Sequence, residues 1–231
     1  PEPIIKPEIR HFRLPFERQE PELNVYGLPI QSNERRMVCS SWHIDGAHVK
    51  SAEQSASALE VTLNAYLICT LAVRLHKHLE DRVQSTEDSA PSHIAISQTY
   101  LGRDREELRF VGSFSVGMPM VFDFTAGPDL KTLCQHALRE TQRMLALDTI
   151  VQSAQPVAVA YELNDVRPLK RPPETQQQAH PFQMDVFFTA NRFADGYTIA
   201  VVFDEHKYDT HALEAFVQSW MLYVRSTCVY V

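Results

Sequence analysis

The sequence predicts a mixed α/β fold with α+β layering, in which a mixed sheet is flanked by helices. Two observations predict it. The first is the order of hydrophobic patterns along the chain: strand, helix, helix, strand, strand, helix, then a hairpin and a closing helix. The second is a helix apolar nearly all round from Ala65 to Val73, a pattern that belongs at the centre of a core. With 231 residues, 44% of them hydrophobic and 22% charged, the chain can bury one large core or two small ones.

Residues 1–34 read as an extended, Pro-rich linker or approach segment. Pro1, Pro3, Pro7, Pro15, Pro21 and Pro29 are too dense for a helix interior. Leu14, Phe16, Leu23, Val25 and Tyr26 are interspersed, so the segment should lie against a surface. The opening Pro1-Glu2-Pro3-Ile4-Ile5 has no Met and no charged-then-apolar leader, and reads as a piece of a longer polypeptide.

Residues 35–231 carry the fold. Arg36 to His43 alternates in polarity, with Met37, Cys39, Ser41 and His43 on one side, and reads as a strand. His48 to Leu59 is helical, with Ala52, Ser55, Ala56 and Leu59 on one face. Thr62 is a good N-cap for a helix from Leu63 to Leu79. Gln84 to Ser92 is a polar loop. His93 to Tyr100 reads as a strand with Ile94 and Ile96 on one face, and Gly102 to Glu107 as a charged turn.

Met118 to Phe124 is strand-like, and Ala126-Gly127-Pro128 turns into a helix with the stripe Leu130, Leu133, Cys134, Ala137 and Leu138. Arg167 to Gln178 is a Pro- and Gln-rich surface loop. Phe182 to Ala190 and Tyr197 to Phe203 form a hairpin about Ala194-Asp195-Gly196. A last helix from Thr210 to Arg225 shows the stripe Leu213, Phe216, Val217, Trp220 and Val224.

The bulk chemistry narrows the function classes. Net charge is −7 and the basic residues are scattered, which argues against a nucleic-acid surface. The longest apolar run, Ala65 to Val73, is too short to span a bilayer. Cys39, Cys69, Cys134 and Cys228 have no zinc or redox spacing, and Cys69 and Cys134 read as small buried hydrophobes. A reducing, cytoplasmic setting is therefore expected. His206 and His211 would need a third ligand to hold a metal, so they read as surface residues. His76 and His78, two apart on one helix, cannot share a face and read as part of an exposed helix end. There is no nucleophile elbow, dinucleotide fingerprint, Walker A loop or paired-carboxylate site.

Four segments carry a family resemblance. Leu59-Glu60-Val61-Thr62-Leu63-Asn64-Ala65-Tyr66-Leu67 is similar to a "gVTlfavLlaa" helix start. Val111-Gly112-Ser113-Phe114-Ser115-Val116-Gly117-Met118-Pro119-Met120 is similar to "(I/V)GxFVNTLPLR". His180-Pro181-Phe182-Gln183-Met184 is similar to the tail of "SRNPLFQVMF". The run from Tyr197 through Tyr208-Asp209 is similar to a closing strand, "LFD" and helix. In order and spacing, over about residues 35 to 227, the chain resembles the C-terminal lobe of condensation domains of nonribosomal peptide synthetases, with their chloramphenicol-acetyltransferase-like fold.

The departures are as informative as the matches. The Asn-Thr pair of the motif falls on Val116 and Gly117, and its Arg on Val121. Asp148-Thr149-Ile150-Val151 keeps little of "HQDxPFE", and the "SRNP" Arg is missing before Pro181. The family's HHxxxDG, whose second His is implicated in catalysis, belongs to the other lobe and is not found in this sequence. His43-Ile44-Asp45-Gly46 has one residue where that motif has three, and reads as an Asp-Gly turn between strand and helix.

The resemblance implies half of a two-lobed acyltransferase domain, lining a tunnel where carrier-bound acyl and aminoacyl thioesters are joined. It implies no catalytic residue and no metal in this half. Its substrates would ride on phosphopantetheine arms, with no cofactor bound by the lobe itself. Its partners would be an N-terminal condensation lobe, on the same or a separate polypeptide, and acyl or peptidyl carrier proteins, with no nucleic acid or membrane. Gly112, Ser113, Ser115 and Gly117 would let a pantetheine arm or acyl chain pass close to the backbone; alternatively Gly112 and Gly117 permit a bulge or turn beside a strand. Gln183 would hydrogen-bond a substrate or backbone carbonyl, or be a solvated strand residue. Two other functions fit the same fold: an inactive docking module for carrier proteins or tailoring enzymes, and a stand-alone coenzyme A-dependent acyltransferase. A lobe of this kind should also offer its partner a large apolar or concave face.

Overall fold

A computed structural model of the chain describes residues 14, 17, 36–83, 91–101, 115–127, 129–145, 159–164, 186–193 and 196–227. The elements are β1 (Met37–Asp45), α1 (Gly46–Ala58), α2 (Leu63–Val83), β2 (His93–Leu101), β3 (Ser115–Asp123), α3 (Leu130–Leu145), β4 (Val159–Asn164), β5 (Val186–Phe193), β6 (Gly196–Asp204) and α4 (Thr210–Ser226). The strands make one six-stranded mixed sheet in the order β1-β6-β5-β4-β2-β3. Strand β4 runs parallel to both β2 and β5, and the other neighbours are antiparallel.

The α/β class and every element expected from the sequence are present, but one strand was not expected. β4 occupies an interior position in the sheet. Val159, Ala160 and Tyr161 are buried, so the segment lacks the apolar–polar alternation that marks a strand with one wet face.

Each helix start is explained by a side chain. Asp45 Oδ1 accepts from the backbone N–H groups of Ala47 and His48, both at 3.0 Å. The Asp-Gly step thus ends β1 and caps α1, which begins at Gly46, two residues earlier than the expected His48. Thr62 Oγ1 accepts from Ala65 N at 3.2 Å, as expected for its capping role. Asp129 and Asp209 do the same for Thr132 N and Ala212 N. Between α1 and α2 the chain bends by 97°. There Glu60 adopts φ 59° and Val61 N donates to Ala56 O, a Schellman-type helix end.

The core lies between one sheet face and the helices. Ile94 and Ile96 of β2, Phe122 of β3, Tyr161 of β4, Phe188 of β5 and Phe203 of β6 are fully buried there. Trp220 of α4 meets Tyr161 and Phe188 edge-on, at centroid distances of 6.4 and 6.0 Å. The whole expected α4 stripe, Leu213, Phe216, Val217, Trp220 and Val224, is buried. The segment Ala65–Ala72 of α2 is buried all round, as its composition requires. Leu14 also belongs to this core, and Glu17 bridges antiparallel to Tyr208, so the approach segment is anchored on the domain at these two residues.

One expectation is corrected. His76 is not an exposed residue: its ring stacks on Phe124 at 4.1 Å with a 9° interplanar angle, and burial lowers its pKa, opposed by the Glu80 carboxylate. His78 packs on another side of the helix, edge-on to Phe216 at 6.5 Å. Leu222, on α4, is the one strongly exposed large hydrophobe among the described residues, at 64%.

Candidate functional site

The sheet face opposite the core carries a distinctive pattern. Register pairing places Ser41 beside Ala200, Ala200 beside Thr189, and Thr189 beside Glu162. One step along from the Ser97–Ala160 pair of β2 and β4, Thr99 follows Glu162 on the same face, and Thr99 pairs with Gly117 of β3. A row of small side chains interrupted by one carboxylate thus crosses all six strands, roughly 24 Å at ordinary strand spacing. Cys39, Val202, Phe187, Ala160, Ser97 and Pro119 form the neighbouring row on one side. His43, Thr198 and Asn191 stand on the other.

Glu162 is the polar centre of this face. Its pKa is raised, and the cause is burial. No cation among the described residues pairs with it. Beside it, the Thr189 hydroxyl donates to Ala200 O at 3.1 Å. Partial desolvation also raises the thiol of Cys39, an otherwise exposed residue, which keeps the thiolate fraction low and makes it a poor nucleophile. Along the row Ser41, Ala200, Thr189, Glu162, Thr99 and Gly117, which is exposed or half-buried, the face can hold an extended chain and offer it a hydrogen-bond acceptor, whereas Phe187, Ala160 and Ser97 in the neighbouring row are buried. The face has no activated nucleophile or nucleophile–base pair among the described residues.

Of the residues selected from sequence, Gly112, Ser113 and Gln183 lie outside the described residues, as do the charged turn, the Pro- and Gln-rich loop and Cys228. Ser115 opens β3 opposite Leu101. Gly117 is half-buried on the small-residue row. The bulge reading fails at Gly117, because nine consecutive pairs from His93–Asp123 to Leu101–Ser115 run without a skipped residue. Pro119 is tolerated because β3 is an edge strand. Val121, where the motif has Arg, shares the open face with Gly117, and its carbonyl lies 3.1 Å from His136 Nε2.

Glu162, Thr189 and Thr99 escaped the sequence reading. The signal for Glu162 was present: it is the one charged residue in the apolar run Val159-Ala160-Tyr161-Glu162-Leu163. Elsewhere, Cys69 and Cys134 are buried neighbours, and burial together with the adjacent thiol pushes Cys69 well up. His206 is half-buried and His211 exposed. No group of three His, Cys, Asp or Glu side chains suited to a metal ion occurs among the described residues.

No protein-family model and no curated protein sequence matches the chain. Solved structures do match. A four-domain nonribosomal peptide synthetase bound to AMP and glycine aligns over 94% of this chain and 18% of its own, at TM-score 0.70 and 13% identity. The epimerization domain from the third module of tyrocidine synthetase B aligns over 96% of this chain and 53% of its own, at TM-score 0.66 and 14% identity. The fold is that of a condensation-domain lobe. The X-domain from teicoplanin biosynthesis, solved in complex with OxyB, aligns over 94% of this chain and 49% of its own, at TM-score 0.63 and 16% identity. The chain spans about half the length of the epimerization-domain structure and of the X-domain structure.

Proposed function

We propose that the chain is the C-terminal lobe of a condensation-type acyltransferase domain of a nonribosomal peptide or hybrid polyketide synthetase, and that its open sheet face lines the passage for carrier-bound thioesters. The observation that carries this reading is an alignment covering nearly all of this chain but only about half of condensation-type structures. The row of small side chains through Gly117 and Thr99 supports the placement of the passage.

In the reaction, an amine nitrogen attacks a thioester carbonyl carbon. The C–N bond forms, the C–S bond breaks, and the proton lost by the amine goes to the departing pantetheine thiolate. This lobe contributes position rather than a base. Holding two tethered reactants in line supplies a large part of such a rate. Here the wall would keep the arm extended, with Glu162 and the neighbouring threonine hydroxyls available to its amide groups.

A second reading is favoured by specific residues. Val116, Gly117 and Val121 replace the polar Asn, Thr and Arg of the family motif, and the matching X-domain was solved with OxyB bound. On that reading the lobe belongs to a docking module for a carrier protein or tailoring enzyme, and does no chemistry.

The test is Gly117→Leu in the whole domain. A passage along this face requires turnover of carrier-bound substrates to fall at least about tenfold, with an unchanged melting temperature. Unchanged turnover would remove Gly117 from the passage.

A further inference from the structure

The outer surface of the helical layer carries an open groove of about 710 Å³ along α4, with Arg74 of α2 on its wall. Leu222 lines it and is 64% exposed. Ala215 and Ser226 follow the same α4 ridge at helical spacing and are small and exposed, so a second backbone can approach Leu222. Arg74 stands on one flank of this ridge. Its guanidinium donates to Ser219 Oγ and lies 5.7 Å over the Tyr223 ring. Those contacts hold the guanidinium in place without neutralising it, and its Nε is buried without a hydrogen-bond partner among the described residues. The helical turn of about 100° per residue sets Ser219 and Tyr223 on one flank of Leu222 and Arg225 on the other. Neither arginine has a carboxylate partner among the described residues, and no acidic residue among them lines the groove.

We propose that this ridge docks an amphipathic helix of a partner protein, with the partner's apolar seam on Leu222 and its Asp or Glu side chains on Arg74 and Arg225. An apolar centre with charge on both flanks is the pattern by which paired helices choose partner and register, and a helix laid in a groove reads it directly. Arg and Tyr are side chains that interfaces favour. Charge selects the partner. The chain carries a net charge of −7, yet this groove presents two arginines and no acid. A second copy of the chain fits poorly, because a symmetric pair about Leu222 would set arginine flank against arginine flank. A small molecule fits poorly too, since such ligands are normally enclosed on most sides. The ridge faces away from the sheet, and its role does not depend on the function proposed for the open sheet face.

The probe is an amidated helical peptide of about 18 residues, with leucines along one seam and glutamates on both flanks. A control peptide carries lysines in place of the glutamates. Titrated into the purified chain, the glutamate peptide should bind with a Kd of about 1 mM or tighter and shift the NMR signals of the Leu222 methyls and the Tyr223 ring. The lysine peptide should bind at least about tenfold more weakly. Leu222→Ser and Arg225→Gln, both at exposed positions, should each weaken the glutamate peptide about fivefold or more without changing the melting temperature. Arg74→Gln should weaken it similarly, and the two exposed-site variants carry the test if that variant loses stability. Equal binding of the two peptides, unchanged affinity in Leu222→Ser or Arg225→Gln, shifts located elsewhere, or no binding at all would overturn the proposal. So would a dimer of the chain that Leu222→Ser abolishes, which would make a second copy the occupant. Binding to phosphatidylglycerol vesicles in place of the peptide would overturn it in favour of a membrane surface.

Discussion

The indole Nε1 of Trp220 donates to the Thr70 hydroxyl at 3.0 Å, and that hydroxyl donates in turn to Leu67 O at 2.9 Å. Both residues are fully buried, so the pair joins α4 to α2 inside the core. Thr70→Val keeps the shape but strands the indole N–H. It should cost about 1–3 kcal/mol in denaturant unfolding, whereas Thr70→Ser should cost less. Equal stability of Thr70→Val and the parent would show that the bond contributes nothing.

Two glycines with positive φ should respond differently to alanine. Gly196, at φ 153°, opens β6 opposite Asp45, and an added Cβ would lie 2.0 Å from Ile44 O. Gly127, at φ 60°, has open space around its missing Cβ. Gly127→Ala should cost only the left-handed backbone penalty, about 1–2 kcal/mol. Gly196→Ala should cost well over that, or fail to fold, because backbone must move. Comparable melting temperatures for the two variants would contradict this placement of Gly196.

Much of this architecture was legible because the physics is local. The α4 stripe of Leu213, Phe216, Val217, Trp220 and Val224, and the Thr62 cap, follow from helical spacing and from unsatisfied N–H groups. β4 was not legible, since its first three residues, Val159, Ala160 and Tyr161, are all buried and leave no alternation to read. The candidate site was only partly legible for the same reason. Gly117 was reached through a motif; Glu162 stands out in sequence as the one charge in an apolar run, but its place on the small-residue row follows only from β4 lying between β5 and β2. His76 was misread because its stacking partner, Phe124, is 48 residues away in the chain.

Glu162 gives the open face a pH signature. Burial raises its folded pKa above the unfolded value, so the folded state binds the proton more tightly. Stability then falls as pH rises from the ordinary glutamate range through the folded value. Glu162→Gln should therefore raise the melting temperature at about pH 7, by about 1–3 °C, and give no gain near about pH 3.5. A larger gain at the acidic end would reverse the sign and place Glu162 in a stabilising ion pair.

Asp209 caps α4 through Ala212 N at 2.8 Å. Asp209→Ala should cost about 1 kcal/mol and Asp209→Asn much less. The check is chemical denaturation of both variants. An asparagine variant as unstable as the alanine one would mean that the charge, rather than the cap geometry, is what holds the helix start.

On the proposed function the chain is half of a condensation-type domain. A condensation assay with amino-acid-loaded carrier proteins tests that most directly, run with this chain alone and with the polypeptide that adds an N-terminal lobe bearing an intact HHxxxDG. The expected result is no amide product from the chain alone and product from the two-lobed form. Amide formation by residues 1–231 alone would contradict the lobe assignment. A two-lobed form that binds carriers yet makes no product would replace catalysis with docking.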